Sequence, residues 1–264
     1  MNEFRVDGKV ALISGSARGL GAAMAETLIA SGAKVMVADI LDKEGKETAA
    51  RLGANAGYVH LDVTQEADWE AAVAAVIKQF GGLDVVVNNA GIETTSLIEN
   101  CSLEDFNLTQ KVNVTGVFLG VKHAIRAMKP GGAAGRGGAI INLSSGAGLK
   151  GTLGLGAYCT SKGAVRLLTK AAAVECGRLG YGVRVNSIHP GVVKTDMGVK
   201  VLKDYVKLGL IPSEKEAETT FIKAHLLGFG RPQDIANGVC YLASNAAQWI
   251  TGIELSIDGG YFAA

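Results

Sequence analysis

An α/β architecture with one doubly wound parallel sheet is what this sequence of 264 residues predicts. Three features point that way. Short β-rich runs alternate with amphipathic helical stretches along the whole chain, no linker-like segment interrupts them, and dispersed polar residues fall just past the ends of the apolar runs. Alternating strands and helices pair into a parallel sheet covered on both faces, and such sheets bind ligands beyond the carboxyl ends of their strands.

The elements follow in order. Val10 to Ser14 is an apolar run that breaks into Gly15-Ser16-Ala17-Arg18-Gly19-Leu20-Gly21, and an amphipathic helix pattern then reaches Ser31. Lys34 to Ala38 is a second β-rich run ending in Asp39, so the first stretch reads as a βαβ unit. Helical periodicity covers Lys43 to Leu52 and Glu66 to Phe80, around a strand at Tyr58 to Leu61. Leu83 to Val87 is a β-branched strand leading into Asn88-Asn89-Ala90-Gly91, and Leu103 to Met128 is helical in one or two pieces. Strands follow at Ala139 to Leu143 and Val183 to Ile188, separated by a helix from Ala157 to Leu179. The stretch 195–228 reads as one or two short helices, Pro232 to Leu242 as a helix with proline in its first turn, and Ile253 to Ile257 as the last of about seven strands. The whole chain, 1–264, is expected to be one domain.

Composition narrows the function. Hydrophobic residues make up 48% and charged residues 19%, enough apolar material for a large core without disulfides. The net charge of +1, with both signs interspersed, leaves no electrostatic footprint for nucleic acid or an anionic membrane. Cys101, Cys159, Cys176 and Cys240 lack C-x-x-C spacing and read as reduced thiols in a cytoplasmic protein. No apolar run approaches the ~20 residues that span a bilayer. His123, His189 and His225 have no ligand-spaced partners, so no metal site is expected.

The first glycine turn sets backbone N–H groups at a helix N-terminus, an anion site suited to a pyrophosphate. Asp39 can accept hydrogen bonds from both hydroxyls of an adenosine ribose, which selects NAD; a 2′-phosphate there would meet a like charge. Arg18 in the turn pulls the other way, toward such a phosphate. Asp62-Val63 could contact an adenine amine or simply cap a helix. Asn89 could serve the ligand or tie strand ends together, while Gly91 permits close backbone approach.

Tyr158 and Lys162 stand four apart, on one face of the predicted helix. A phenol normally keeps its proton up to a pKa near ~10, and a close ammonium favours the phenolate. Lowering it to about 7–8 takes only ~3–4 kcal/mol in a partly dry cleft. Cys159, about 100° round the helix from the tyrosine, is read as packing.

Taken together, the glycine turn, Asn88-Asn89-Ala90-Gly91, Ser145, Tyr158-x-x-x-Lys162 and Pro190-Gly191 resemble the short-chain dehydrogenase/reductase family, in order and spacing, from about Lys9 to Tyr261. The resemblance implies a Rossmann-like fold and roles residue by residue. Tyr158 would be the general acid/base and Lys162 would lower its pKa and hold the nicotinamide ribose. Ser145 would hydrogen-bond the substrate oxygen; its thirteen-residue spacing from Tyr158 distinguishes it from Ser144. Asn113 would hold a water linking Lys162 to solvent. Dinucleotide contacts would come from Gly15, Ser16, Arg18, Gly19, Leu20, Gly21, Asp39, Ile40, Asp62, Val63, Asn89, Ala90, Gly91, Tyr158, Lys162, Pro190, Gly191, Val193 and Thr195. The Val193 backbone and Thr195 hydroxyl would meet the nicotinamide carboxamide.

Substrate choice is expected from an apolar lid at 195–229 and its surroundings, with Glu93, Leu153, Met197, Leu202 and Tyr205 joining Ser145 and Tyr158 as contacts. Asp39-Ile40-Leu41-Asp42 and Ser187 to Gly191 look like NAD-dependent hydroxysteroid and alicyclic alcohol dehydrogenases. The expectation is an apolar, cyclic or bulky secondary alcohol and its ketone. A 3-oxoacyl thioester reductase using NADPH is the second enzyme reading, and a catalytically silent NAD-binding regulator the reading from another class. The resemblance also implies a homotetramer pairing through the helices near Leu103–Met128 and Ala157–Leu179.

Overall fold

The computed structural model describes residues 3–263. Seven strands run parallel in the order β3-β2-β1-β4-β5-β6-β7: β1 Val10–Ser14, β2 Lys34–Asp39, β3 Ala56–His60, β4 Val85–Asn88, β5 Gly138–Leu143, β6 Val183–Pro190 and β7 Glu254–Ile257. Nine α-helices appear among the described residues: α1 Gly19–Ala30, α2 Asp42–Leu52, α3 Glu66–Phe80, α4 Leu103–Gln110, α5 Gly116–Met128, α6 Gly156–Arg178, α7 Asp196–Lys207, α8 Glu214–Ala224 and α9 Pro232–Ala243. After β3 the chain crosses to the other side of β1 and lays down β4. That reversal opens a crevice between the carboxyl ends of β1 and β4, where an open α/β sheet takes its ligand.

Residue alternation in the strands explains the layers. Val10 and Leu12 of β1 point into a core shared with Trp69 and Val76 of α3, Val117 and Met128 of α5, and Val165 of α6. Ala11 and Ile13 point to the opposite core, with Met24 and Leu28 of α1 and Ile235 and Val239 of α9. Both faces of each central strand are therefore buried, as the near-continuous apolar runs predict. Trp69 is 1% exposed and its indole N–H donates to the Val63 carbonyl at 3.1 Å.

Several boundaries differ from expectation; β3, for one, starts at Ala56 rather than Tyr58. β4 starts at Val85 rather than Leu83, because Asp84 is used as an acceptor for the Val10 amide at 2.8 Å. The helical run after the asparagine tetrad is three pieces: α4, a π-helical turn at Lys111–Thr115, and α5. The segment beyond β6 resolves into α7 and α8, separated at Gly209 (φ +68°), with Ser213 capping α8 by accepting from the Glu216 amide at 3.3 Å.

Candidate active site

A single elongated cavity of about 750 Å³ runs along the carboxyl ends of the strands. At one end lie Gly15, Arg18, Gly19 and Leu20 after β1, Asp39 and Ile40 after β2, and Asp62 and Val63 after β3. The middle carries Asn89, Ala90 and Gly91 after β4 together with Ser145, Tyr158 and Lys162. The far end is walled by Pro190, Gly191, Val193 and Thr195 and by the α7–α8 segment.

The glycine turn has the shape of an anion cradle. Gly15 (φ +64°) sits where an added Cβ would come 2.7 Å from the Ala90 Cα, so only glycine lets β1 and β4 approach here. Gly19 (φ +58°) opens α1 with nothing within 4 Å in the Cβ direction, which leaves the helix N-terminus free to face a phosphate. These residues fit a dinucleotide. Ser16 and Gly21 are corrections, because neither lines the cavity. The buried Ser16 hydroxyl donates to the Ile13 carbonyl at 2.6 Å and accepts the Ala38 amide at 3.0 Å, so it ties β1 to β2. A Cβ at Gly21 would lie 2.2 Å from the Gly15 carbonyl oxygen, making Gly21 a packing requirement beneath the turn.

Asp39 is 8% exposed, and its carboxylate accepts the Ala17 amide at 2.9 Å and the Leu41 amide at 3.1 Å. It is thus fixed against the glycine turn with lone pairs left for further donors. The Arg18 guanidinium, by contrast, reaches the Asp196 carboxylate at 3.5 Å. Asp62 lines the cavity while its carboxylate accepts the Thr64 amide at 2.9 Å; this is a local turn and not the helix cap expected as its alternative, since α3 starts at Glu66 with Gln65 at its N-cap. Asn89 serves structure through its side chain, whose amide donates to the Ser14 and Gly15 carbonyls at 3.0 and 2.8 Å.

At the centre, the Lys162 ammonium, 3% exposed, donates to the Leu143 carbonyl at 2.8 Å and lies 5.5 Å from the centre of the Tyr158 ring. Burial pushes the Lys162 pKa down to about 8. Burial likewise pushes the Tyr158 phenol up to about 12, against a hydrogen bond from Ser145 that pulls it down and the Glu93 carboxylate that pushes it further up. This corrects the expectation of a phenol depressed by the lysine. Desolvation disfavours both charged forms, and it outweighs their mutual attraction in the protein alone. Ser144 is 4% exposed, and its hydroxyl is committed to the Lys162 carbonyl, to which it donates at 2.8 Å.

Asn113 sits in the π turn, fully buried and outside the cavity lining. Its side-chain oxygen accepts the Ile92 amide and its side-chain amide donates to the Ile92 carbonyl, both at 2.8 Å, with a further bond to the Ser161 hydroxyl at 3.0 Å. The side chain is therefore committed to holding the Gly91–Glu93 stretch, and a water link to Lys162 would fall to its backbone.

Of the expected substrate contacts, Glu93 and Met197 line the cavity. Leu153, Leu202 and Tyr205 do not, which corrects the expectation. Leu153 is 62% exposed to solvent. The Tyr205 hydroxyl donates to the Leu153 carbonyl and its ring packs edge-on to Phe221 at 5.2 Å. Met197 and Val201 share the inward face of α7, and Leu202 lies about 100° further round. Glu93, with a side chain only 2% exposed, pairs with the Lys200 ammonium at 3.0 Å, so α7 is tied to the loop after β4. Thr195 caps α7 by accepting the Gly198 amide at 3.2 Å.

Sequence reasoning missed two histidines. His189 is fully buried, with Nδ1 3.0 Å from the Ser145 carbonyl and Nε2 2.9 Å from the Ser187 hydroxyl, and burial holds its pKa down. His225 and Tyr261 line the far end of the cavity. No spacing pattern announces either histidine; the repeated polar residues of β6 hint at the first.

This combination of a glycine cradle at the sheet's switch point and a serine, tyrosine and lysine at its centre defines a nicotinamide-dependent oxidoreductase with a Rossmann-type fold. A family profile described as Enoyl-(Acyl carrier protein) reductase matches residues 15–262. A 3-alpha-(or 20-beta)-hydroxysteroid dehydrogenase of Mycobacterium tuberculosis is 47% identical over 256 residues, covering 97% of this chain and 90% of the relative. A trans-4-hydroxycyclohexanecarboxylate dehydrogenase of Sinomonas cyclohexanicum is 43% identical, covering 97% and 93%. Among solved structures, a gluconate 5-dehydrogenase from Burkholderia cenocepacia in complex with NADP and tartrate superposes with a TM-score of 0.88 at 30% identity, over 100% of this chain and 98% of the other. The chain belongs to the short-chain dehydrogenase/reductase family and is a dehydrogenase.

Proposed function

We propose that the protein interconverts an apolar, cyclic or bulky secondary alcohol, of the hydroxysteroid or alicyclic type, and its ketone, with NAD(H) as the partner. The observation that carries this reading is the convergence of Ser145, Tyr158 and Lys162 in one cavity whose substrate end is lined by Leu155, Val192, Met197, Val201 and Phe221. Apolar walls with a few convergent polar groups suit a hydrophobic ring bearing one oxygen. The relatives named for hydroxysteroids and a cyclohexane acid support the same class.

When bound, the nicotinamide supplies the hydride chemistry. The chain's part is proton transfer and positioning. Ser145 hydrogen-bonds the substrate oxygen and Tyr158 takes the hydroxyl proton in oxidation or returns it in reduction. Lys162 holds the ribose beside the phenol. Gly15, Arg18, Gly19 and Leu20 cradle the pyrophosphate, Asp39 and Ile40 meet the adenosine ribose, Asp62 and Val63 the adenine, and Asn89, Ala90 and Gly91 the middle of the dinucleotide. Pro190, Gly191, Val193 and Thr195 hold the nicotinamide end. The α7–α8 segment acts as the substrate lid. The same reading carries a cytoplasmic homotetramer.

Asp39 is the ground for NAD over NADP: the fixed carboxylate faces the position a 2′-phosphate would take. Fluorescence titration of the purified protein tests this, with NADH expected to bind at least about tenfold more tightly than NADPH. Tighter NADPH binding would remove the Asp39 argument. Turnover assays with a hydroxysteroid, cyclohexanol and a 3-oxoacyl thioester then separate the enzyme readings. The thioester reductase wins if only that substrate turns over.

A further inference from the structure

The geometry points to His225 as a positioning residue that holds the backbone amide of Val192, and with it the Gly191–Val193 wall of the cavity, through one ring tautomer. This rests on the reading above that Val193 meets the nicotinamide end of the cofactor.

His225 closes the C-terminal end of α8 and is 3% exposed. Its two ring nitrogens meet partners whose roles are fixed by covalent chemistry. Nδ1 lies 2.6 Å from the Phe221 carbonyl oxygen, which can only accept. Nε2 lies 3.0 Å from the Val192 amide nitrogen, which can only donate. One arrangement satisfies both: Nδ1 carries the proton and Nε2 is bare. A flipped ring would set carbon against both the carbonyl and the amide N–H, and the other tautomer would set a nitrogen lone pair against the carbonyl and N–H against N–H.

The surroundings pin that ring. Tyr261 stacks on one face at 4.7 Å and 18°, and Phe229 meets it edge-on at 6.0 Å. An added Cβ at Gly191 would come 2.8 Å from Nε2, so the absence of a side chain at that position is what admits the imidazole to the backbone. Tyr261 in turn lies under the Lys150 ammonium at 4.8 Å and beside Phe262, whose ring packs where a Cβ on Gly146 would stand, 2.5 Å away. A continuous train of contacts therefore runs from the turn after Ser145, through the C-terminal aromatics and His225, to the Val192 amide. Within that train the His225 hydrogen bond is the one that ends on the Gly191–Val193 wall. A histidine kept only for packing would not need a bare Nε2 aimed at a backbone N–H.

Two variants separate the hydrogen bond from the packing. His225→Phe keeps the stacked ring and removes the acceptor; His225→Gln keeps an acceptor at about the reach of Nε2 and removes the ring. In the first, Kd for NADH, read by fluorescence, is expected to rise about tenfold to a hundredfold because a buried donor loses its partner. In the second, Kd stays within about threefold of the wild type. ADP-ribose, which lacks the nicotinamide, is the second probe, and its affinity is expected to be the same in all three proteins. Unchanged NADH affinity in His225→Phe, or equal losses in both variants, would overturn the proposal. Equal losses of NADH and ADP-ribose would show instead that Val193 does not meet the nicotinamide. If the wild type prefers NADPH, the comparison is run with NADPH and only the Asp39 reading fails. A nitrogen NMR spectrum of the wild-type histidines gives a check independent of any variant: a His225 ring protonated on Nε2 would overturn the proposal directly.

Discussion

The half of the site built from the ends of β1, β2, β4 and β5 and the half built from α7 and α8 are fixed in different ways. In the first, each group is held by backbone of the sheet or by a side chain rooted in it: Asp39 on the Ala17 amide, Asn89 on the Gly15 carbonyl, Lys162 on the Leu143 carbonyl. In the second, side chains latch a segment onto the body at separate points: Lys200 on Glu93, the Tyr205 hydroxyl on the Leu153 carbonyl, the Val192 amide on His225. The outer surface of the second half also leaves apolar groups in water, with Leu227 87% and Leu226 64% exposed. On the proposed function, the groups that would meet the cofactor sit on the sheet, and those that would choose a substrate sit on a segment held by a few side-chain contacts.

Substitutions in the sheet half are expected to be costly in chemistry or stability, and those in the α7–α8 half to be read mainly in substrate handling. The largest effect is expected from Tyr158→Phe. It should lower turnover by about 10²–10⁴-fold or more, the range for a lost proton-transfer group, with NADH affinity nearly unchanged. Retained turnover would remove Tyr158 from the mechanism. Trp69→Ala, beneath the sheet, should cost ~3–5 kcal/mol from the cavity it leaves. At ~2–4 °C per kcal/mol for a chain of this size, the Tm should fall by about 6–20 °C, a loss that calorimetry resolves.

Lys162 allows a test by pH. Its folded pKa, about 8, lies below the ordinary 10.5, so between those values the unfolded chain binds the extra proton and stability rises with pH. Below pH 8 the full cost of the buried ammonium stands. Lys162→Met should therefore gain stability relative to wild type near pH 7, and the difference should shrink by pH 9.5. Urea midpoints at the two pH values measure it; a pH-independent difference would mean that Lys162 is not a buried charge. The smallest global effect is expected from Glu93→Gln, which weakens one latch. Its Tm should fall by no more than about 3 °C, corresponding to ~1 kcal/mol or less for a partly exposed pair, while KM for the alcohol rises several-fold. A large stability loss there would erase the contrast between the halves.

The same contrast explains what could be read from the sequence. Seven strands, their order of polar endings and the centre at Ser145, Tyr158 and Lys162 were legible because each depends on residues close in sequence or on periodicity. The α7–α8 contacts were not. Lys200 meets a carboxylate more than a hundred residues earlier, and Met197 and Leu202 look equally suitable until the helix is phased against the cavity. Ser16 and Gly21 belong to the glycine motif, and motif membership alone does not tell a residue that lines the cavity from one that supports the turn beneath it. The phenol's pKa was misjudged because desolvation acts through the whole surroundings of Tyr158, and spacing reports only the lysine.

The π turn at Lys111–Thr115 carries a consequence for how the chain tolerates insertion and deletion. A π turn takes up one residue more than the α pattern, so the helical run from Leu103 to Met128 contains a residue that helix-forming tendency alone would not require. Deleting one residue there would restore ordinary α geometry and leave α4 and α5 facing as they do, because the wider turn is what absorbs the extra residue. Val117, Val121, Ala124 and Met128 would go on facing the core, whereas Asn113, inside the turn, would leave the Ile92 backbone. A single codon lost at this point would therefore be felt where Asn113 holds the loop after β4, while the helix surface beyond it kept its face to the core.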